Sequence, residues 1–232
     1  NLKILIKINV HQIYKVPLKY TAVFIALIFF IPLYFVIIFG IYNPNAGFYM
    51  GSEARRLGEI KQNWVEIEKL PPVVIRSLIA AEDANFCKHF GFDIDAIFKA
   101  IESGSSRGAS TITQQVAKNV FLWHGRTYLR KGLEAGFTIL IELVWTKKRI
   151  LEVYLNVAEF DEGVFGIGAA SKHYFNINPN SITPLQAARL MAILPDPKNR
   201  SPNKPSKFLH TKTKRIISGA ETILIDGRAS CF

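Results

Sequence analysis

Cysteine is scarce in this chain: Cys87 and Cys231 are the only two in 232 residues, and they stand far apart. Neither a disulfide framework nor a metal-ligand spacing follows from such a pair. HExxH and the EF-hand loop are both missing, so the recognised zinc and calcium spacings are too. Internal repeats are absent, and the period-two alternation of half-buried strands is rare. Most telling is the absence of charge from Thr21 to Tyr42, TAVFIALIFFIPLYFVIIFGIY. At ~1.5 Å per residue this run extends roughly 33 Å, enough to cross a bilayer, and soluble helices rarely lack a polar face for so long. Pro32 is tolerable in such a span. Acidic residues are also missing ahead of it, where Lys3, Lys7, Lys15 and Lys19 stand. By the positive-inside rule the N-terminus stays cytoplasmic and the remaining chain lies outside. The run is longer than a signal-peptide apolar region and continues into bulky residues, which predicts an uncleaved anchor.

What is present is basic and helical. The formal net charge is +11, and 49% of the residues are hydrophobic. Eight Lys/Arg lie from Arg107 to Arg149 against Glu134 and Glu142, and seven lie from Lys198 to Arg215 with no acid. Basic surface beside a membrane suits anionic head groups or a phosphorylated lipid; nucleic acid is not expected for an outward-facing domain. Residues 1–20 read as a basic tail, 21–42 as the transmembrane helix, 43–62 as a polar connector, 63–216 as one domain and 217–232 as an unassigned tail. Pro71 and Pro72 suit a helix start ahead of Val74, Ile75, Leu78 and Ile79 at helical spacing. HFGFD is a turn and SGSSRGAS (103–110) a loop, while Thr183 before Pro184 caps a further helix. The fold class predicted is mostly α.

Three groups can carry chemistry. Arg126, Arg130 and Glu134 are spaced four apart and share a helix edge, with Lys118 eight residues before Arg126. Spacing alone allows a solvated face with an Arg–Glu pair, or an anion clamp in which Arg binds phosphate bidentately and Lys acts as a mobile charge. Glu82 follows its apolar helix face and is placed either to move a proton in a cleft or to cap or salt-bridge a neighbour. Two carboxylates such as Glu82 and Glu134 are the usual equipment of glycosyl chemistry. A metal set of Glu82, Asp83, His89 and Asp93 is possible in composition only. SPNK (201–204) has no Lys-Thr-Gly partner and sits in a proline-rich loop, so it reads as chance.

The motifs EDANFCKHFGFD, RGASTITQQVAKN, RKGLEAGFTILIEL, KKRILEVYLNVAEFDEGVFGIGAASKHYF and LQAARLMAILPDPKNRSP occur in that order. Together they resemble the five motifs of the monofunctional, membrane-anchored peptidoglycan glycosyltransferases of Gram-negative bacteria, over about residues 20–205. The resemblance implies a lysozyme-like α-helical domain with a small membrane-touching jaw lobe, in the inner membrane with its catalytic domain periplasmic. It implies polymerisation of lipid II, with Glu82 as base beside Asp83. It also implies that Ser110, Gln114, Lys118 and Asn119 line the donor site, and that Arg126, Arg130 and Glu134 meet the donor diphosphate. No cofactor is required by it; a divalent cation (Mg or Mn) near Glu134 is left open, as are protein partners in wall synthesis or division. Departures from the family pattern are Asp161 and Glu162 where a glycine is frequent, Asp196 where Asn is usual, and Gly136 where a larger residue is expected. Alternatives are a muramidase on the same framework, or an idle anchored scaffold.

Overall fold

A computed structural model describes residues 18–44, 47–102, 110–125 and 127–232. Residues 103–109, most of the SGSSRGAS loop, and Arg126 lie outside them. The described chain is predominantly helical, with one three-stranded sheet.

Helix α1 (Leu18–Ile41) contains the uncharged run, and its segment Val23–Ile41 is long and apolar enough to cross a membrane. Most of its side chains are exposed; only the end nearest the domain is held. There Val36 is buried, and Trp145 Nε1 donates to the Val36 carbonyl at 2.7 Å. A side chain at Gly40 would meet the Trp145 ring at 3.0 Å, so glycine permits this close approach. Arg149 donates to the carbonyls of Phe39 (3.0 Å) and Tyr42 (2.8 Å), which places a cation on the helix C-terminus, where the dipole favours it.

Residues 43–62 differ from the polar connector expected. They contain α2 (Phe48–Leu57) and β1 (Lys61–Gln62), and Tyr49, Met50 and Glu53 are buried. Tyr49 donates to Glu159, and Lys198 contacts both Glu53 (2.8 Å) and Glu159 (3.6 Å). The Tyr49–Glu159 and Lys198–Glu53 pairings join residues more than 100 positions apart, and local periodicity cannot show them.

The core is built by α3 (Pro72–Glu82), α5 (Ile112–Phe121), α6 (Tyr128–Val144), α7 (Lys147–Val157), α9 (Pro184–Ile193) and α10 (Lys207–Asp226). Side-chain caps start five of these: Thr127, Thr146, Thr183 and Ser206 cap α6, α7, α9 and α10, and Thr111 forms a capping box with Gln114 on α5. Helix α5 packs against α2, α6 and α7, whereas α3, α9 and α10 pack on one another. The sheet orders β1, then β3 (Val164–Phe165), then β2 (Glu159–Asp161); β1 runs parallel to β3, and β2 antiparallel. Helix α8 (Gly166–Phe175) lies against it. The acids that depart from the family pattern are paired at the surface, Asp161 with His173 (2.9 Å) and Glu162 with Arg56 (2.7 Å). A side chain at Gly136 would meet nothing within 4 Å, so no packing reason requires glycine there.

The C-terminal stretch, given no role from its sequence, is an integral part of the domain. Ile216, Ala220 and Ile223 of α10 are buried, and Gly219 lies so close to α3 that a Cβ there would be 3.0 Å from that of Ala80. Cys87 and Cys231, whose spacing implied no disulfide, are joined by one across 144 residues. The chain end is thereby tied to the segment that follows Glu82.

Helix α4 (Ile94–Glu102) buries no residue and exposes Ile94, Phe98 and Ile101. On α6, Tyr128, Leu129, Leu133 and Leu143 are exposed as well. Uncovered apolar surface of this kind marks contact with a membrane or a partner.

Replacing both cysteines by serine is expected to lower the thermal unfolding midpoint of the detergent-solubilised chain by several degrees. A disulfide typically contributes about 2–4 kcal/mol. A dithiol reductant should lower the unsubstituted chain to the same midpoint and leave the double variant unmoved.

Candidate active site

Helix α3 ends at Glu82, and the next residue, Asp83, turns inward. Its Oδ1 accepts from His89 Nε2 (2.9 Å) and its Oδ2 from the backbone N–H of Ile112 (3.1 Å), the first residue of α5. A carboxylate there complements the positive end of the α5 dipole. Asp83 is thus buried and braces two helices. Asp93 Oδ1 accepts from the Ala96 N–H (2.9 Å) and Oδ2 from Asn85 (3.1 Å). The donor atoms of Asp83, His89 and Asp93 gather within 4.8 Å, yet every carboxylate oxygen among them already accepts an internal hydrogen bond. The turn itself depends on Gly91: its φ is +76°, and a Cβ there would lie 2.6 Å from Thr138 Cγ2.

Glu82 points the other way, into a cleft of about 1050 Å³ that Ser110, Gln115 and Lys118 also line. Among the described residues it forms no ion pair; Gln115 Nε2 donates to its Oε2 at 2.9 Å, and the Tyr154 hydroxyl donates to Gln115 Oε1 at 3.0 Å. This relay orients the carboxylate without neutralising it. The capping and salt-bridging readings of Glu82 are therefore not the ones the structure adopts.

Gln114, which the resemblance implied to line the donor site, does not line the cleft. Gln114 is buried, and its Oε1 accepts from the Thr111 N–H (3.0 Å) to close the capping box. Gln115, one residue on, reaches the cleft. Only the direction each side chain takes around α5 separates them.

Lys118 lines this cleft and a second one of about 380 Å³, which contains Asn119, Tyr154 and the segment Leu194–Asn199. Burial pushes the Lys118 pKa down; Glu134 and Glu82 oppose the shift, and Arg130 and Lys131 add to it. On α6, Arg130 Nη1 donates to Glu134 at 2.6 Å and Arg130 Nε to the Gly125 carbonyl at 2.6 Å. The i,i+4 pair is thus formed but buried, not solvated. Lys131 also donates to Glu134 and reaches Ser110 Oγ at 3.2 Å. Glu134 is buried with one oxygen on Arg130 and the other on Lys131, so it holds both cations in place. Arg126 lies outside the described residues.

The arrangement is one carboxylate held unneutralised in a cleft, next to cations that Glu134 and burial keep in place. It fits transfer chemistry in which a base removes a proton and the departing group is an anion.

A helical domain of this build with such a site is that of a lysozyme-like glycosyl-transfer enzyme. The profile of the Transglycosylase family matches residues 50–221, and the chain belongs to that family. It is 51% identical over 184 residues to the "biosynthetic peptidoglycan transglycosylase" of Jannaschia sp. (strain CCS1), covering 79% of this chain and 77% of the relative. Proteins of the same name from Caulobacter vibrioides and Marinomonas sp. (strain MWYL1) are 49% and 43% identical; the first covers 74% of this chain and 77% of the relative, the second 87% and 86%.

Because burial lowers the Lys118 pKa below the ordinary 10.5, its charge is lost on raising pH earlier than for a solvated lysine. The basic limb of kcat/KM for glycosyl transfer should lie below 10.5 and move upward in Lys118→Arg, whose guanidinium stays charged. Measured pH–rate profiles of the two proteins check this.

Proposed function

We propose that this transglycosylase polymerises peptidoglycan glycan strands from lipid II by inverting transfer, forming β-1,4 bonds between N-acetylmuramic acid and N-acetylglucosamine. The observation that carries the reading is Glu82, an unpaired carboxylate hydrogen-bonded by Gln115 in a cleft whose other charges are cations. The names of the relatives support the same substrate class.

Glu82 takes the proton of the acceptor's N-acetylglucosamine 4-hydroxyl. The oxygen attacks C1 of the N-acetylmuramic acid at the end of the growing strand, and the α-linked undecaprenyl diphosphate leaves from the opposite face. A diphosphate requires charge neutralisation more than protonation, so Lys118 and Arg130 stand where a glycosidase would place an acid. Glu134, which the sequence suggested as a second catalytic carboxylate, serves as the positioning residue for Arg130. Its engaged oxygens do not fit a divalent cation, and no step is routed through one.

The lipid tails of both substrates require a membrane address. Helix α1 supplies a single-pass anchor, and the exposed apolar faces of α4 and α6 rest against the bilayer. The lysines before the span keep the N-terminus cytoplasmic, which puts the catalytic domain on the outer face of the inner membrane.

Glu82→Gln keeps the size and the Gln115 contact and removes the base. Polymerisation of labelled lipid II should fall by about 10²–10⁴-fold with an unchanged unfolding midpoint. Full polymerisation by this variant would sink the base assignment. Shortening of mature glycan by the unsubstituted protein would indicate a muramidase instead.

A further inference from the structure

One attachment of the segment after Glu82 differs in kind from the others. Glu82 is the last residue of α3, where a helix frays most easily, and Gln115 supplies its hydrogen bond. Its direction therefore depends on how the following residues are held. They are tied to α5 through Asp83 and through Thr111, which donates to the Gly91 carbonyl at 2.7 Å. They are tied to α7 by Lys147, which donates to the His89 carbonyl at 2.8 Å and stands 4.4 Å over the Phe86 ring. Their link to the chain beyond α10 is covalent: Cys87, in the turn Phe86–Lys88, is bonded to Cys231.

Cys231 lies beyond residues 50–221, the part that the family profile matches, so the tether comes from chain that follows the shared domain. Its path is defined. Helix α10 ends at Asp226, and Gly227 turns the chain with φ +64°. Arg228 closes the turn by donating from its N–H (3.0 Å) and its Nε (2.7 Å) to the Asp226 carboxylate. Ala229, Cys231 and Phe232 then pack against the core. Both cysteines are half-buried, not sealed within it. Without the bond α10 stays packed, because Leu209, Ile216, Ala220 and Ile223 are buried and Gly219 abuts Ala80. The loss is local: the last residues of the chain and the segment after Glu82 are no longer joined.

We infer that Cys87 and Cys231 form an oxidation site that switches glycosyl transfer on. Closing the bond fixes the segment that aims Glu82; opening it leaves a folded chain with a loosely aimed base. This rests on the proposed reading, in which Glu82 is the base and the domain lies outside the cytoplasm, where disulfides persist. The co-reactant is a disulfide oxidant. The thiolate of one cysteine attacks it to form a mixed disulfide, and the second cysteine displaces the oxidant's sulfur. Two S–H bonds and the oxidant's S–S bond break, the Cys87–Cys231 bond forms, and two electrons and two protons leave on the oxidant's two thiols. A chain still on the reducing side of the membrane is a dithiol and slow, and crossing the membrane activates it.

The test uses the full chain in detergent with labelled lipid II, well below the unfolding midpoints of both redox forms. Reduction by a dithiol, followed by thiol titration, should lower kcat about tenfold and change KM little, since a misplaced base slows the chemical step. Oxidised glutathione should restore the rate. Joining the reduced sulfurs through one methylene, with a dihalomethane, should give a chain whose rate a reductant no longer lowers. The double variant Cys87→Ser, Cys231→Ser should match the reduced rate and ignore the redox state. Independently of turnover, amide hydrogen exchange over residues 83–93 should accelerate on reduction while that of α7 stays unchanged. An unchanged kcat in the reduced chain would overturn the inference and leave the bond a stabilising link only. A double variant at the parent rate, a loss confined to KM, or exchange over 83–93 that ignores reduction would overturn it too. An oxidised parent that elongates no glycan, yet shows the redox-dependent exchange, would instead overturn the proposed function.

Discussion

The site depends on the two hydrogen bonds of the Asp83 carboxylate. By accepting from His89 and from the first N–H of α5, Asp83 joins the end of the helix that carries Glu82 to the start of the helix that carries Gln115 and Lys118. The brace is supported from outside. Thr111 donates to the Gly91 carbonyl (2.7 Å), and Lys147 donates to the His89 carbonyl and to Glu142 (2.8 Å each). Glu82 and the cations thus arrive in one cleft because a neighbouring acid is spent on structure. Two adjacent carboxylates, which a sequence shows as equivalents, divide into a buried brace and a group that faces the cleft.

A second constraint concerns charge. Buried acids here are neutralised in place: Glu134 by Arg130 and Lys131, Glu142 by Lys147, Glu53 by Arg56 and Lys198. The pKa of Glu53 is accordingly held down to about 2, with the Arg56 hydrogen bond as its largest cause. Against that background, a cleft lined by several cations and one acid is an exception that the fold maintains. The α10 wall of that cleft is held by close packing of Gly219 on Ala80 and by the disulfide between Cys87 and Cys231.

Much of the fold was legible because its signals are local. The Thr183 cap, the proline at the start of α3, the helical face of Val74, Ile75, Leu78 and Ile79, and the uncharged run of α1 each act within a turn or two of chain. Of the site, Glu82, Lys118 and the Arg130–Glu134 pair were legible from motif and spacing. Gln115 was missed because its neighbour Gln114 carries the same side chain. Helix α2 was taken as connector because Tyr49 and Glu53 find their partners only near residues 159 and 198. The α10 wall was missed because a basic run has no sign of which face it turns to.

The family, the apolar span and the starts of α3 and α9 were therefore determined by the sequence alone, since composition, caps and periodicity act over a few residues. Tertiary structure alone decided which of Glu82 and Asp83 faces the cleft, that Gln115 and not Gln114 holds it, that Cys87 meets Cys231, and that Lys212 lines the cleft. The reason is geometric. Successive residues on a helix point roughly 100° apart, so a neighbour in sequence is not a neighbour in space. Partners separated by 29 residues, as Asp83 and Ile112 are, or by 144, as the cysteines are, meet only when the whole core has packed.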